Sequence, residues 1–137
     1  MKANVSAGLV GFVLAALLHL PTGCGLIDSG VVWRQGAYAL IWIDDPKHVS
    51  LTLDARNGGR IGRISPQVFA VGANERFIVA KQHPDGDKAI TNYFIIDITQ
   101  DSVSKPAILG PLTEADYALK SSDMTLPTFT KVLESLQ

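Results

Sequence analysis

The sequence predicts an α+β domain: an antiparallel meander of about five or six short strands with C-terminal helices packed on one face. Three observations point there. Short runs of β-branched and aromatic residues, separated by turn signals, fill residues 37–98. One of those runs alternates apolar and polar residues cleanly, as a half-solvated strand does. After residue 111 the apolar spacing changes to that of a helix.

The chain opens differently. Lys2 supplies one positive charge, and from Ala7 to Leu20 the residues are apolar except for His19. Such a run suits the apolar region of a signal peptide and falls short of the roughly 20 residues a spanning helix needs. Thr22 and Gly23 then lead into Cys24, the chain's single cysteine. This order of apolar run, small residues and Cys resembles the lipobox signal of bacterial lipoproteins. In that class a peptidase cuts before the Cys, and acyl chains such as palmitate are joined to it. The resemblance implies that residues 1–23 are removed, that Cys24 is lipidated, and that residues 24–36 form a tether. It also implies a cell-envelope protein, facing the periplasm and attached to a membrane. Pro21 stands where the class usually has Leu, with Leu20 one step early, which bears on how efficiently the signal is processed. Gly25 in place of the Asp that retains many lipoproteins at the inner membrane favours the outer membrane if the cell is Gram-negative. The competing readings are an ordinary cleaved signal with a free Cys24 and an uncleaved N-terminal anchor. Each buried CH₂ contributes about 0.8 kcal/mol and one chain holds only marginally, so stable attachment takes more than one.

The 114 residues from Cys24 onward make one domain, 37–137 with its tether, large enough for one modest core. Without Lys2 the formal net charge moves from −1 to −2. That balance excludes the basic footprint of a nucleic-acid binder. With Cys24 committed to lipid, no disulfide forms and no thiolate remains for metal or catalysis. No cofactor and no metal site are expected.

Ala37 to Asp44 carries Tyr38, Leu40 and Trp42 on one face and Ala39, Ile41 and Ile43 on the other, as a strand covered on both sides would. Pro46 breaks the pairing in the turn Asp44–His48. Val49 to Asp54 alternates, and Asn57-Gly58-Gly59 turns it back into Arg60–Ile64. Gln67–Gly72, Arg76–Lys81 and Thr91–Ile98 continue the ladder, and Ser102–Pro106 is polar loop. Thr113 reads as a helix N-cap, with Asp116 three residues on and Leu112 and Tyr117 at staple positions. A final helix is expected from Pro127, since Phe129, Val132, Leu133 and Leu136 fall at i, i+3, i+4 and i+7.

Asp44, Asp45 and His48 form the one compact acid/base group. A carboxylate beside a His can act as a general base, and two carboxylates can hold a cation; a solvated turn is the plainer reading. Arg60 and Arg63, with Arg56 and Arg76, lend positive character around one hairpin and could meet an acidic partner; a scattered, hydrated strand edge is the plainer reading, since Lys and Arg commonly protect edges. His83 has only His48 for company after processing, thin material for a transition-metal site. The Gly58-Gly59 stretch lies between strands, so it is a hairpin rather than a phosphate loop.

The strands Arg76–Lys81 and Asn92–Asp97, followed by Gly110-Pro111-Leu112-Thr113-Glu114, resemble those of small uncharacterised bacterial lipoproteins over residues 76–117. The resemblance is structural and brings no functional residues. The reading is therefore a non-enzymatic binding module anchored through Cys24, with a protein partner and with Asp44, Asp45, His48, Arg60 and Arg63 as candidate contacts. The alternatives are a periplasmic immunity or inhibitor protein, a scaffold of an envelope complex, and a small hydrolase using Asp45 and His48. Lipidation predicts that a fatty-acid probe labels the wild type in cells and leaves Cys24→Ala unlabelled; equal labelling would refute it.

Overall fold

The computed structural model describes residues 28–137. The signal, Cys24 and the start of the expected tether, to residue 27, lie outside the described residues. The first sheet is an antiparallel meander of β1 (Ser29–Gln35), β2 (Tyr38–Ile43), β3 (Ser50–Asp54) and β4 (Arg60–Ile64), in that spatial order. The second contains β5 (Val68–Ala73), β6 (Phe77–Gln82), β7 (Asn92–Asp97), β8 (Ile108–Leu112) and β9 (Lys131–Val132), in the order β8-β7-β6-β5-β9. One helix, α1 (Glu114–Asp123), follows β8.

The period-2 pattern explains how the sheets stack. Tyr38 and Leu40 of β2 and Leu51 and Leu53 of β3 share one core with Ile78 and Ala80 of β6 and Phe94 and Ile96 of β7. The alternate residues of the second sheet, Phe77, Val79 and Ile95, form a separate cluster under Leu112, Tyr117, Met124, Leu126 and Phe129. The second sheet is thus covered on both faces, and its strands read as nearly continuous apolar runs. The first sheet is covered on one. Ala39 and Ile41, on its outer side, are buried all the same, while Ile43 is 52% exposed.

The chain crosses between sheets at Ser65–Gln67. Val68 N–H donates to Val49 O at 2.8 Å, and the Gln82 amide donates to Ser65 O at 2.9 Å. Asn92 in turn donates to Gln82 Oε1 at 3.1 Å, so the buried amide is satisfied at both ends.

At the opposite end of the sandwich a buried ion pair closes the sheets together. Arg63 Nε donates to Asp101 Oδ2 at 2.8 Å, and the two side chains are 2% and 0% exposed. The Tyr38 hydroxyl donates to the same oxygen at 2.8 Å, Ala107 N–H donates to Oδ1 at 2.8 Å, and Arg63 Nη2 donates to Ser102 O at 2.7 Å. The loop after β7 is thereby bound to β2 and β4. Burial, then the hydrogen bond to Asp101, pushes the Tyr38 phenol well above its ordinary pKa.

Three expectations are corrected. The described residues form nine strands in two sheets, not five or six in one. The tether does not extend to residue 36: Ser29–Gln35 pairs with β2 as far as Gln35 opposite Tyr38. Gly36, at φ 57°, supplies the tight turn between them. The expected final helix is absent. Thr113 does cap α1, accepting from Asp116 N–H at 3.1 Å, but residues 127–133 form no helix and contribute β9 to the edge of β5. Residues 134–136 close in a turn, Leu136 N–H donating to Leu133 O at 2.8 Å. Pro127, Thr128, Thr130 and Val132 are poor helix formers. The spacing that mimicked a helix serves two cores instead, Phe129 packing against both and Leu136 buried in the larger. Thr128 O lies 1.8 Å from where a Cβ on Gly72 would stand, so only glycine lets this segment settle on β5.

Arg63→Ala leaves Asp101 buried without its counter-charge and is expected to cost about 3–5 kcal/mol in urea unfolding, against about 0.5–3 kcal/mol for Tyr38→Phe. Because folded Tyr38 holds its proton more tightly than the unfolded chain does, its contribution is complete below about pH 10 and declines above it. Tyr93 and Tyr117, also raised by burial, act in the same direction. Urea midpoints should therefore fall as pH rises past about 10, and less so in Tyr38→Phe.

Candidate functional site

The turn after β2 is held by its own backbone. Asp44 sits at φ 65°, a conformation that Asp tolerates better than most residues. Its N–H donates to Asp28 O at 2.7 Å. Asp45 Oδ1 accepts from Lys47 N–H at 2.9 Å, and His48 N–H donates to Asp45 O at 2.9 Å. One carboxylate oxygen of Asp45 is thus used in shaping the turn. The other lies 3.7 Å from His48 Nδ1, with the two side chains 43% and 60% exposed. This is a loose, solvated pair, beyond hydrogen-bonding distance.

His48 stands at the meeting point of two shallow concavities. One, of about 360 Å³, runs over the outer face of the first sheet, lined by Ile41, Ile43, Ser50, Thr52, Arg60 and Gly62. The other, of about 440 Å³, lies between Ser65, Gln67, Asp85 and Gly86. His48 and Pro66 line both. The fold therefore brings His48 and Arg60, from different turns of the chain, to one surface groove. Asp45 stands at its rim beside His48. The apolar floor comes from β2: Ile41 and Ile43 occupy the outward positions of its alternation, and Val31 of β1 lies opposite Ile41. Val31 and Ile43 are both about half exposed.

The other candidates separate. Arg60 reaches Asp54 at 3.1 Å, and Arg34 reaches the same carboxylate at 2.6 Å; the Arg34 hydrogen bond is the main cause of the lowered Asp54 pKa. Arg63 does not stand beside Arg60 on a hydrated edge. It falls at an irregularity of β4, between Gly62 opposite Thr52 and Ile64 opposite Leu51, and there both Arg63 and Ile64 are buried, Arg63 against Asp101. Arg76 lies over the Phe77 ring at 4.8 Å and pairs with Asp97 at 3.0 Å. His83 is buried, stacked on Phe69 at 4.1 Å, and its Nδ1 donates to Ile90 O at 2.8 Å. It belongs to the core and not to a site with His48. The Asn57-Gly58-Gly59 stretch is a hairpin turn, with Gly58 at φ 82° and Gly59 N–H donating to Asn57 Oδ1 at 3.0 Å.

Among the described residues no three His, Cys, Asp or Glu side chains gather closely enough to hold a metal ion. No helix among them is long and apolar enough to cross a membrane. Ser65, Pro66 and Asp85 join the groove only through the pairing of the two sheets, and their sequence positions carry no signal of it. The outward Ile41 and Ile43 were visible as the second apolar face of β2; the burial that face predicts holds for Ala39 and Ile41, and Ile43 at the strand's end is the exposed one.

Two packed antiparallel sheets with one helix laid against the second define a small, mostly β member of the α+β class. The chain belongs to DUF3997, a family of proteins of unknown function, whose pattern matches residues 35–132. No curated protein and no solved structure matches it.

Proposed function

We propose that this protein is a cell-envelope lipoprotein, anchored through Cys24, whose domain binds a partner protein along the outer face of the first sheet. The groove carries the reading. It combines an apolar floor at Ile41 and Ile43 with hydrogen-bonding and charged groups at Ser50, Thr52, Arg60 and His48. An apolar centre with a polar, arginine-bearing rim is the composition that protein interfaces favour. Its shallow form suits a protein surface better than a small molecule, which is usually taken into a deeper cleft. Hydrolysis by Asp45 and His48 is the weaker reading, because their 3.7 Å separation leaves His48 unoriented.

The test is crosslinked capture of the tagged, full-length protein from membranes, comparing wild type with Ile43→Asp and Arg60→Glu. Both positions are exposed, so the variants should fold, which circular dichroism checks. The expected result is one stoichiometric partner whose recovery falls about tenfold or more in each variant, as for a residue contributing over about 1.4 kcal/mol. Unchanged recovery in both would refute the groove. The identity of the partner separates an immunity protein, which captures a toxic enzyme, from a scaffold, which captures an envelope complex.

A further inference from the structure

Attachment at Cys24 sets more than location; it sets which end of the domain meets the bilayer. The first residue placed in the fold is Asp28, whose carbonyl accepts from Asp44 N–H at 2.7 Å. Ser29 then pairs with Ile43 at the end of β2. Four residue steps from Cys24 to Asp28 reach at most about 14 Å in any conformation. Asp44, hydrogen-bonded to Asp28, is thus held within a few ångströms more than that distance of the lipidated residue, and its turn follows from there. The Ser65–Gln67 crossing and the Asp85-Gly86 turn sit at the same end, since all three line one concavity with His48. At the other end lie Gly36, Asn74, Glu75 and the Asp101 loop, gathered around a second concavity.

We propose that the Asp44–His48 end is the membrane-facing end of the domain, apposed to a zwitterionic lipid surface; the inference rests on the lipid anchor proposed above. Exposed Ile43 and Ile90, 52% and 49% accessible, give this end apolar groups for the headgroup layer. Its charges are Asp28, Asp44, Asp45, Asp85 and Asp87 against Lys47 and Lys88. That acidic excess disfavours an anionic surface and is indifferent to a zwitterionic one. The groove, with His48 at its junction, therefore opens beside the membrane, and its partner must reach into the space next to the headgroups.

The test uses lipidated full-length protein purified from membranes and reconstituted into phosphatidylcholine vesicles carrying a nitroxide on the headgroup. Cys24 is the single cysteine and its sulfur is occupied by lipid, so a cysteine introduced at Lys47 or at Arg56 takes a fluorophore uniquely. Both positions are exposed, in turns at opposite ends of β3. Quenching at position 47 is expected to exceed that at position 56 by about twofold or more, since a strand of five or six residues separates the labels by roughly 17–20 Å. Inserting about eight Gly/Ser residues after Gly25 should shrink the difference, because the longer linker frees the domain. Adding anionic lipid should shrink it as well. Equal quenching at the two positions in floated vesicles would overturn the orientation while leaving the anchor intact. If wild type and Cys24→Ala float equally with the vesicles, the anchor itself fails, and the orientation with it.

Discussion

The fold depends on one desolvated ion pair. Arg63 belongs to a strand of the first sheet and Asp101 to the loop after β7 of the second, and neither side chain keeps appreciable contact with water. Removing two charges from solvent is costly, and such a pair is tolerable only when its remaining hydrogen-bonding capacity is met. Here it is met by Tyr38, Ala107 and Ser102, so the polar centre is satisfied from a strand of one sheet and a loop of the other. A nonpolar replacement of all its members could pack as well. What the pair adds is uniqueness: the loop after β7 has one place where its carboxylate is paired, and that place fixes how the two sheets meet. At the far end the Gln82 amide has a similar part, holding the crossing segment through Ser65 and Asn92.

Between these two polar fixtures the core is apolar, and the second sheet takes most of the burial. It is enclosed by the first sheet on one side and by α1 and the C-terminal segment on the other. The first sheet keeps an outer face, and that asymmetry makes the groove possible. A central strand with apolar residues at every position, as in β2, commonly belongs between two layers. In this fold Ala39 and Ile41 on the outward half of β2 are buried as that predicts, and Ile43 at the strand's end opens onto the surface lined by Arg60, Thr52 and His48.

Much of this was legible in the residues. Six strands lie within one or two residues of where alternation and turn chemistry put them, because their faces differ in polarity or their turns carry Gly, Asn or Pro. The cap of α1 was legible from Thr113 and Asp116 for the same local reason. The remainder depended on partners far along the chain. β1 was hidden because Gly36 resembled the end of a linker until Tyr38 was seen opposite Gln35. β9 was hidden because a segment serving two cores can imitate helical spacing. Arg63 was indistinguishable from Arg60 in sequence; what separates them is the irregularity of β4 at which Arg63 falls and an aspartate in a loop of the other sheet. The groove was legible only in parts: His48 and Arg60 were identifiable, but their meeting was not.

The position of β9 also bears on the order in which the fold can assemble. The first sheet is built from neighbouring strands joined by tight turns, so its contacts form over short loops. β5, by contrast, stays an open edge until Lys131 and Val132 return to it from across β6, β7, β8 and α1. Closing so long a loop is entropically slow compared with closing a hairpin. The early sheet can therefore be in place while the edge of β5 is still bare, and an unpaired edge is where a strand from another chain could add. The glycine at position 72, which admits the returning segment so closely, sits on that edge and so guards the chain against its neighbours as much as it completes its own core.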